Sequence, residues 1–298
     1  MSESSGTVIA TFSRRMDVRL ADGEIVGARI KGKKLKPVCG DSVTLGPLPG
    51  EPDWLITRVN QRSNELTRPN IRGSAEVLAA NVDQLVLTVA AVPAPDWFIV
   101  DRYLAAAENM PASAAIVFNK SDIKAPDDNE ELRAFADLGY PVIVTSASEG
   151  DGVERLATQL ADRVSIFVGQ SGVGKSSLIN ALLGEEAQKI AEISRKLDEG
   201  KHTTVNSRML PLAGGGEVID SPGVRDYAPS ISDMSEVAHG FREIRAAAAH
   251  CRFANCRHLK EPGCAVKQGV EDGEILARRL ESYRRLLRLT ERLGENRY

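Results

Sequence analysis

Val164-Ser165-Ile166-Phe167-Val168-Gly169-Gln170-Ser171-Gly172-Val173-Gly174-Lys175-Ser176-Ser177 is the stretch on which the fold turns. Its first five residues are mostly β-branched or aromatic and read as a buried strand. Lys175 through Leu183 has helical composition, so the context is strand, glycine turn, helix, as a phosphate-binding loop requires. Gly172 and Gly174 let backbone N–H groups face phosphate oxygens with no side chain in the way. The helix N-terminus adds positive potential. Gly169, Gln170, Ser171, Gly172, Val173, Gly174, Lys175, Ser176 and Ser177 are therefore candidate nucleotide contacts. Lys175 is expected to reach the β- and γ-phosphates and Ser176 to ligate Mg²⁺. Such a pattern arises by chance in roughly one chain of this length in a hundred.

A second motif lies upstream. Asn119-Lys120-Ser121-Asp122 follows the apolar run Ala114-Ala115-Ile116-Val117-Phe118. An aspartate in the position of Asp122 takes the N1 and N2 hydrogens of guanine, which adenine cannot offer as a pair, while Lys120 lies along the base plane. Pro141-Val142-Ile143-Val144-Thr145 reads as another strand, and Ser146-Ala147-Ser148 ends it. Ser146 and Ala147 resemble the loop whose backbone N–H contacts the guanine O6. Downstream, Asp220-Ser221-Pro222-Gly223 offers Asp220 and Gly223 as a magnesium and γ-phosphate switch. Ordinary small GTPases place the phosphate loop first and the guanine motif later. The reversed order here resembles a circularly permuted GTPase, with the helical stretch 152–163 bridging what would otherwise be the domain's two termini.

Past the last switch stand Cys251, Cys256, His258 and Cys264, spaced Cys-x4-Cys-x-His-x5-Cys. Three of the chain's four cysteines fall there, beside a histidine. Three thiolates and an imidazole at short spacing suit one tetrahedral, structural Zn²⁺. Disulfides are the competing reading, but Met1 to Thr7 is short and polar and does not read as a secretory signal. His250 adjoins Cys251 and competes as the imidazole ligand, although two adjacent residues rarely bind one ion well, and Cys39 stands apart as a buried structural residue.

The first 72 residues alternate short strand-like runs with turn signals: 6–12, 17–20, 24–28, 41–45 and 54–59. Five strands at this spacing fit a small barrel, an OB-fold or another small barrel alike. This region holds twelve Lys/Arg against eight Asp/Glu, and residues 233–298 hold thirteen against ten, although the whole chain carries −3. Basic flanks around an acidic middle suggest a polyanionic partner, with Lys31, Lys33, Lys34 and Lys36 the sharpest cluster. Phe12 and Trp54 are the barrel's only evident aromatics, so phosphate and shape contacts suit it better than base stacking. Further on, 84–92 reads as a strand, 98–109 as a helix, 207–212 and 217–220 as a hairpin about three glycines. The stretch 271–293 reads as one long amphipathic helix. No run approaches eighteen apolar residues, so no membrane span is expected.

Taken together, Val-Cys-Gly-Asp-Ser-Val at 38–43, the guanine motif, the phosphate loop, Gly200-Lys201-His202-Thr203-Thr204 and Asp-Ser-Pro-Gly-Val resemble the RsgA/YjeQ family of circularly permuted GTPases. The resemblance spans the whole length. It implies an N-terminal OB-fold β-barrel over 1–72, a circularly permuted α/β P-loop GTPase domain over 73–228 and an α-helical zinc-binding domain over 229–298. It further implies GTP and GDP as ligands, the small ribosomal subunit and its rRNA as partners, and slow hydrolysis stimulated by that subunit. A monomeric, cytoplasmic protein is expected. The same resemblance makes Thr204 the second Mg²⁺ ligand and His202 the catalytic group that orients water. Val224 stands where Ras-like enzymes carry glutamine, and it cannot orient water. That keeps open a nucleotide-sensing module that hydrolyses GTP negligibly. Gly172 stands where potassium-activated relatives carry asparagine, so no potassium dependence is expected.

Overall fold

The computed structural model describes residues 3–12, 15–32, 34–69, 75–184, 207–221 and 233–295. Five strands come first: β1 (Ser4–Thr11), β2 (Met16–Leu20), β3 (Ile25–Ile30), β4 (Ser42–Pro47) and β5 (Trp54–Val59). They pair in the order β1-β2-β3-β5-β4, and β4 returns to pair with β1, closing a five-stranded barrel of OB-fold order. Alternation along β2, Met16, Val18 and Leu20 inward, supplies one wall of its core, with Val8, Leu45 and Ile56 opposite. The hairpin β6 (Glu65–Pro69) and β7 (Ala75–Ala80) follows as a separate two-stranded sheet. The expected domain boundary at 72 lies between these two paired strands.

The central sheet is built from β8 (Gln84–Ala90), β9 (Ser113–Asn119), β10 (Val142–Val144), β11 (Val164–Val168), β12 (Ser207–Pro211) and β13 (Glu217–Asp220). Its order is β10-β9-β8-β11-β13-β12, parallel throughout except for the β12–β13 hairpin. Every residue of β8 is buried, as expected of a parallel strand covered on both faces. One face packs under α1 (Trp97–Asn109) and α2 (Glu130–Asp137) through Leu85, Leu87, Tyr103, Leu104 and Phe135. The other packs under α3 (Val153–Leu160) and α4 (Lys175–Leu182) through Val86, Phe167, Leu156 and Leu178. Strand β11 thus sits mid-sheet between β8 and β13, with three strands of this sheet preceding it in the chain, the arrangement a permuted order produces.

Two unions make the molecule one body. Strand β12 pairs on its outer edge with β1 of the barrel, Thr11 opposite Ser207 and Ala10 opposite Arg208. Beside that seam Arg19 grips Glu217 through two hydrogen bonds of 2.5 and 2.9 Å. At the other side, α5 (Met234–His239), α6 (Arg242–Ala248), α7 (Ala265–Glu271) and α8 (Ala277–Glu295) form a small helical core that includes Ala105 of α1. Asp101 of α1, fully buried, pairs with Arg278 and Arg279 of α8; Glu131 of α2 takes Arg278, and Glu243 takes Arg279. The expected single helix over 271–293 is corrected here. Helix α7 ends at Glu271, Gly273 adopts a left-handed φ of 78°, and α8 begins only at Ala277. A left-handed glycine just past a helix C-terminus terminates it, which the amphipathic pattern alone conceals.

Candidate functional site

The phosphate loop occupies the turn from β11 into α4. Gly169, Gly172 and Gly174 all take positive φ. At Gly174 a Cβ would come within 2.3 Å of the Asn119 amide nitrogen, so glycine here also lets the loop approach the guanine motif. Lys175 opens α4 and is buried, its ammonium bonded to the carbonyls of Gly169 and Gln170, each at 2.6 Å. Ser176 and Ser177 follow in the first turn of α4, and Ser171 and Gly172 are exposed at the tip of the loop.

Asn119 ends β9 and ties three segments together. Its amide donates to the Val173 carbonyl at 3.0 Å, while its oxygen accepts from Thr145 Oγ1 and from the Ala147 N–H, each at 3.2 Å. Lys120 reaches across to the carbonyls of Gly172 and Val92. The Ser121 N–H donates to the Thr145 carbonyl at 3.1 Å. Asp122 is exposed, its carboxylate accepting from Ser146 Oγ at 2.6 Å; Ser148 Oγ lies 3.0 Å from the same hydroxyl. The Ser146 hydroxyl, above all, holds the Asp122 carboxyl below its usual range, which favours its ionised, hydrogen-bond-accepting form. The guanine motif, Ser146-Ala147 and the phosphate loop therefore form one continuous surface.

Asp220 ends β13, directly beside β11 in the parallel sheet, and Ser221 Oγ accepts from Ser207 Oγ at 2.9 Å. His202, Thr204, Gly223, and with them Gly200, Lys201, Thr203, Pro222 and Val224, lie outside the described residues, as does Lys33. One contact was not foreseen. The Asp96 N–H donates to Gln170 Oε1 at 2.8 Å, and Asp96 itself caps α1, accepting from Phe98 and Ile99 N–H. The cap was readable from an Asp just before a helical run; its tie to the phosphate loop was not.

The second centre lies about 30 residues beyond the sheet in sequence. The ligand atoms of Cys251, Cys256, His258 and Cys264 all lie within 4.8 Å of one another. Cys251 and Cys264 sulfurs are 4.0 Å apart, and His258 Nδ1 stands 3.6 and 3.4 Å from them. A tetrahedral ion with Zn-like bonds to sulfur and nitrogen requires edges of about 3.8 and 3.5 Å, so these residues fit a metal ion. All three thiols are free, which sets aside the disulfide reading, and His258 rather than His250 joins the cluster. The Arg284 guanidinium bonds the His258 carbonyl at 2.9 Å and the Tyr283 ring lies 5.6 Å from the imidazole, fixing the ligand from behind. Burial pushes the Cys256 thiol up to about 11 and lowers His258, favouring the neutral imidazole. Cys39 is fully buried, packed into the core cluster of the central sheet, as expected of a structural cysteine.

Comparison with known proteins bears on both centres. The family model described as RsgA GTPase matches residues 59–229. A relative named small ribosomal subunit biogenesis GTPase RsgA, from Ectopseudomonas mendocina (strain ymp), is 39% identical over 293 residues, covering 96% of this chain and 85% of its own. One of the same name from Pseudomonas aeruginosa (strain LESB58) is 39% identical over 290 residues, with the same coverage. Among solved structures, YjeQ from Thermotoga maritima superposes with a TM-score of 0.74 at 30% identity, covering 97% of this chain and 99% of that one. YloQ, described as a circularly permuted GTPase, gives 0.73 at 26% identity, with 97% and 96% covered.

Proposed function

The chain belongs to the RsgA GTPase family of GTP-hydrolysing enzymes, and from that membership we propose that it is a late maturation and checkpoint factor of the small ribosomal subunit. The observation that carries the reading is the Asn119 side chain. It joins the guanine motif to the phosphate loop through Val173, so the two motifs, in reversed chain order, serve one nucleotide. In this site Asp122 reads guanine, Lys120 flanks the base, Ser146 and Ala147 approach its O6 edge, and Gly169 to Ser177 cradle the phosphates. Ser176 and Thr204 hold Mg²⁺ beside Asp220, and the ion, when bound, neutralises charge developing on the phosphates. Lys175 adds a second positive charge there, and His202 orients the attacking water. Gly223 senses the γ-phosphate.

The metal centre takes Zn²⁺, since three thiolates and a neutral imidazole suit it better than harder cations. Its role is structural, with four protein ligands and no open position. The partner is rRNA of the small subunit, gripped by the basic barrel over 1–72 and the basic segment over 229–298 on either side of the GTPase region. The protein acts as a monomer in the cytoplasm; among the described residues no helix is long and apolar enough to cross a membrane. Binding is tight in the GTP state, and hydrolysis, stimulated by the subunit, releases the factor. A tenfold preference between nucleotide states needs only ~1.4 kcal/mol of differential contact. Cosedimentation with purified small and large subunits, in GDP and in a non-hydrolysable GTP analogue, tests this. Preferential pelleting with the small subunit in the analogue supports the proposal. Equal affinity in both states removes hydrolysis as the release step, and no binding to either subunit removes the ribosomal role.

A further inference from the structure

Between the first two cysteines of the metal cluster runs Arg252-Phe253-Ala254-Asn255. Phe253 is 40% exposed, the one aromatic among the large apolar side chains found exposed in the described residues. Its backbone is held: the Cys256 N–H donates to the Phe253 carbonyl at 3.1 Å, and the Arg252 N–H to the Gly263 carbonyl at 3.0 Å. Cys251 and Cys256, whose sulfurs converge on the cluster, pin the turn at both ends. The ring is thus presented on a closed loop, and ordering it on binding costs little.

The surroundings state what it would receive. The Arg252 guanidinium lies 5.5 Å from the ring centroid, and Arg252, Asn255 and Lys260, all between Cys251 and Cys264, are exposed. Glu261 is the only carboxylate between Cys251 and Cys264, and it spends its oxygens on the N–H groups of Arg257, Leu259 and Lys260. A single flat ring beside a guanidinium is too small for the apolar centre of a protein interface. It is the size of one nucleobase, and stacking on an aromatic face with phosphates on nearby cations is how single-stranded nucleic acid is held.

We propose that an unpaired RNA nucleotide stacks on Phe253, its flanking phosphates taken by Arg252 and Lys260. The inference rests on the ribosomal reading above and names a contact that reading does not supply. The contact lies on the opposite flank from the barrel, and on a helical unit bolted to α1 of the GTPase sheet.

The test compares the parent with Phe253→Trp, Phe253→Leu and Phe253→Ala, each checked for bound zinc and an unchanged circular dichroism spectrum. Affinity is measured for small subunits with a non-hydrolysable GTP analogue and for a short uridine RNA. Alanine and leucine are expected to lose roughly 5- to 150-fold, the range for one stacked base, while tryptophan stays within about twofold and its fluorescence is quenched by the RNA. Leucine binding as tightly as the parent overturns the stack in favour of an aliphatic protein contact, and alanine doing so removes the ring from binding altogether. Arg252→Gln with Lys260→Gln should lower the slope of log affinity against log salt by roughly 1.4, the single-strand value for two phosphates; an unchanged slope overturns the phosphate contacts. If the parent binds subunits and the Phe253 variants match it, this inference alone fails. If the parent binds no subunit, the ribosomal reading fails with it.

Discussion

Arg279→Met is expected to destabilise the protein far more than Asp101→Asn, because the two changes move the charge balance of one buried cluster in opposite directions. Three carboxylates, Asp101, Glu131 and Glu243, face two guanidiniums, Arg278 and Arg279. Arg279 is 2% exposed and Asp101 0%, so water screens little of the interaction. Removing Arg279 leaves three negative charges against one positive, with Glu243 deprived of the guanidinium that holds it. Loss of one partner from a buried pair costs about 3–5 kcal/mol. Asp101→Asn instead leaves two against two and each arginine keeps a carboxylate, but only one of the two oxygens that accept from Arg278 and Arg279 remains, the amide NH2 replacing the other. The cost falls to one lost charged hydrogen bond, about 1.5–3 kcal/mol. Burial pulls the Arg279 pKa down, but Asp101 and Glu243 more than reverse this, so the arginine stays charged in the folded protein. Urea unfolding followed through Trp97, in a Trp54→Phe background, reads the site directly. The Trp97 ring lies 6.0 Å from Phe135, whose face carries both guanidiniums at 5.8 and 5.3 Å. Equal losses, or a greater loss for Asp101→Asn, refute the charge-balance reasoning.

Asp122→Asn should exchange a preference for GTP over xanthosine triphosphate for the reverse, by at least about tenfold, and a parent that binds ATP and GTP equally overturns the guanine assignment. The Asp122 pKa is depressed by Ser146, so the ionised form and the recognition it supports persist as pH falls toward the ordinary carboxylate range and fade only below it. Ser146→Ala should move that fade to higher pH, and superposable pH profiles for parent and variant refute the hydroxyl's role. His202→Ala should slow subunit-stimulated turnover by roughly 10²-fold while leaving nucleotide affinity in place, whereas unchanged turnover assigns the attacking water to another group. Freshly purified protein should hold one equivalent of zinc, and stripping it should expose the segment around Cys251 to Cys264 to protease while the GTPase sheet survives; metal-free protein at isolation refutes the site.

What was legible in the sequence was what is local in it. Val164 to Ser177 carries strand, turn and helix in fourteen consecutive letters, and the physics of anion binding leaves that string little freedom. The four metal-site residues were readable for the same reason, His258 over His250 included, and a left-handed φ of 58° at His258 is the backbone feature the sequence did not show. The five barrel strands were visible as alternation and their spacing fitted a small barrel, but which strands meet to close it was not, since β1–β4 pairing leaves no mark in either strand alone. Hairpin β6–β7 escaped because Glu65-Leu66-Thr67-Arg68-Pro69 has too few apolar residues to show a period. Least legible were the unions between regions. Arg19 and Glu217 stand 198 residues apart, Asp101 and Arg279 178, and nothing in composition matches one ordinary charged residue to another at that distance.

The strand shared by barrel and sheet has a bearing on solubility. A GTPase sheet ending at β12 would leave that strand's outer backbone donors and acceptors facing solvent, a template for pairing with another chain. Here β1 occupies that edge at Ala10 and Thr11, and the barrel is closed on itself, so it offers no fresh edge in return at β1 or β4. Cutting the chain after the barrel would therefore do more than subtract a domain. It would strip a cap from the sheet and leave the remainder prone to join edge to edge with its own copies.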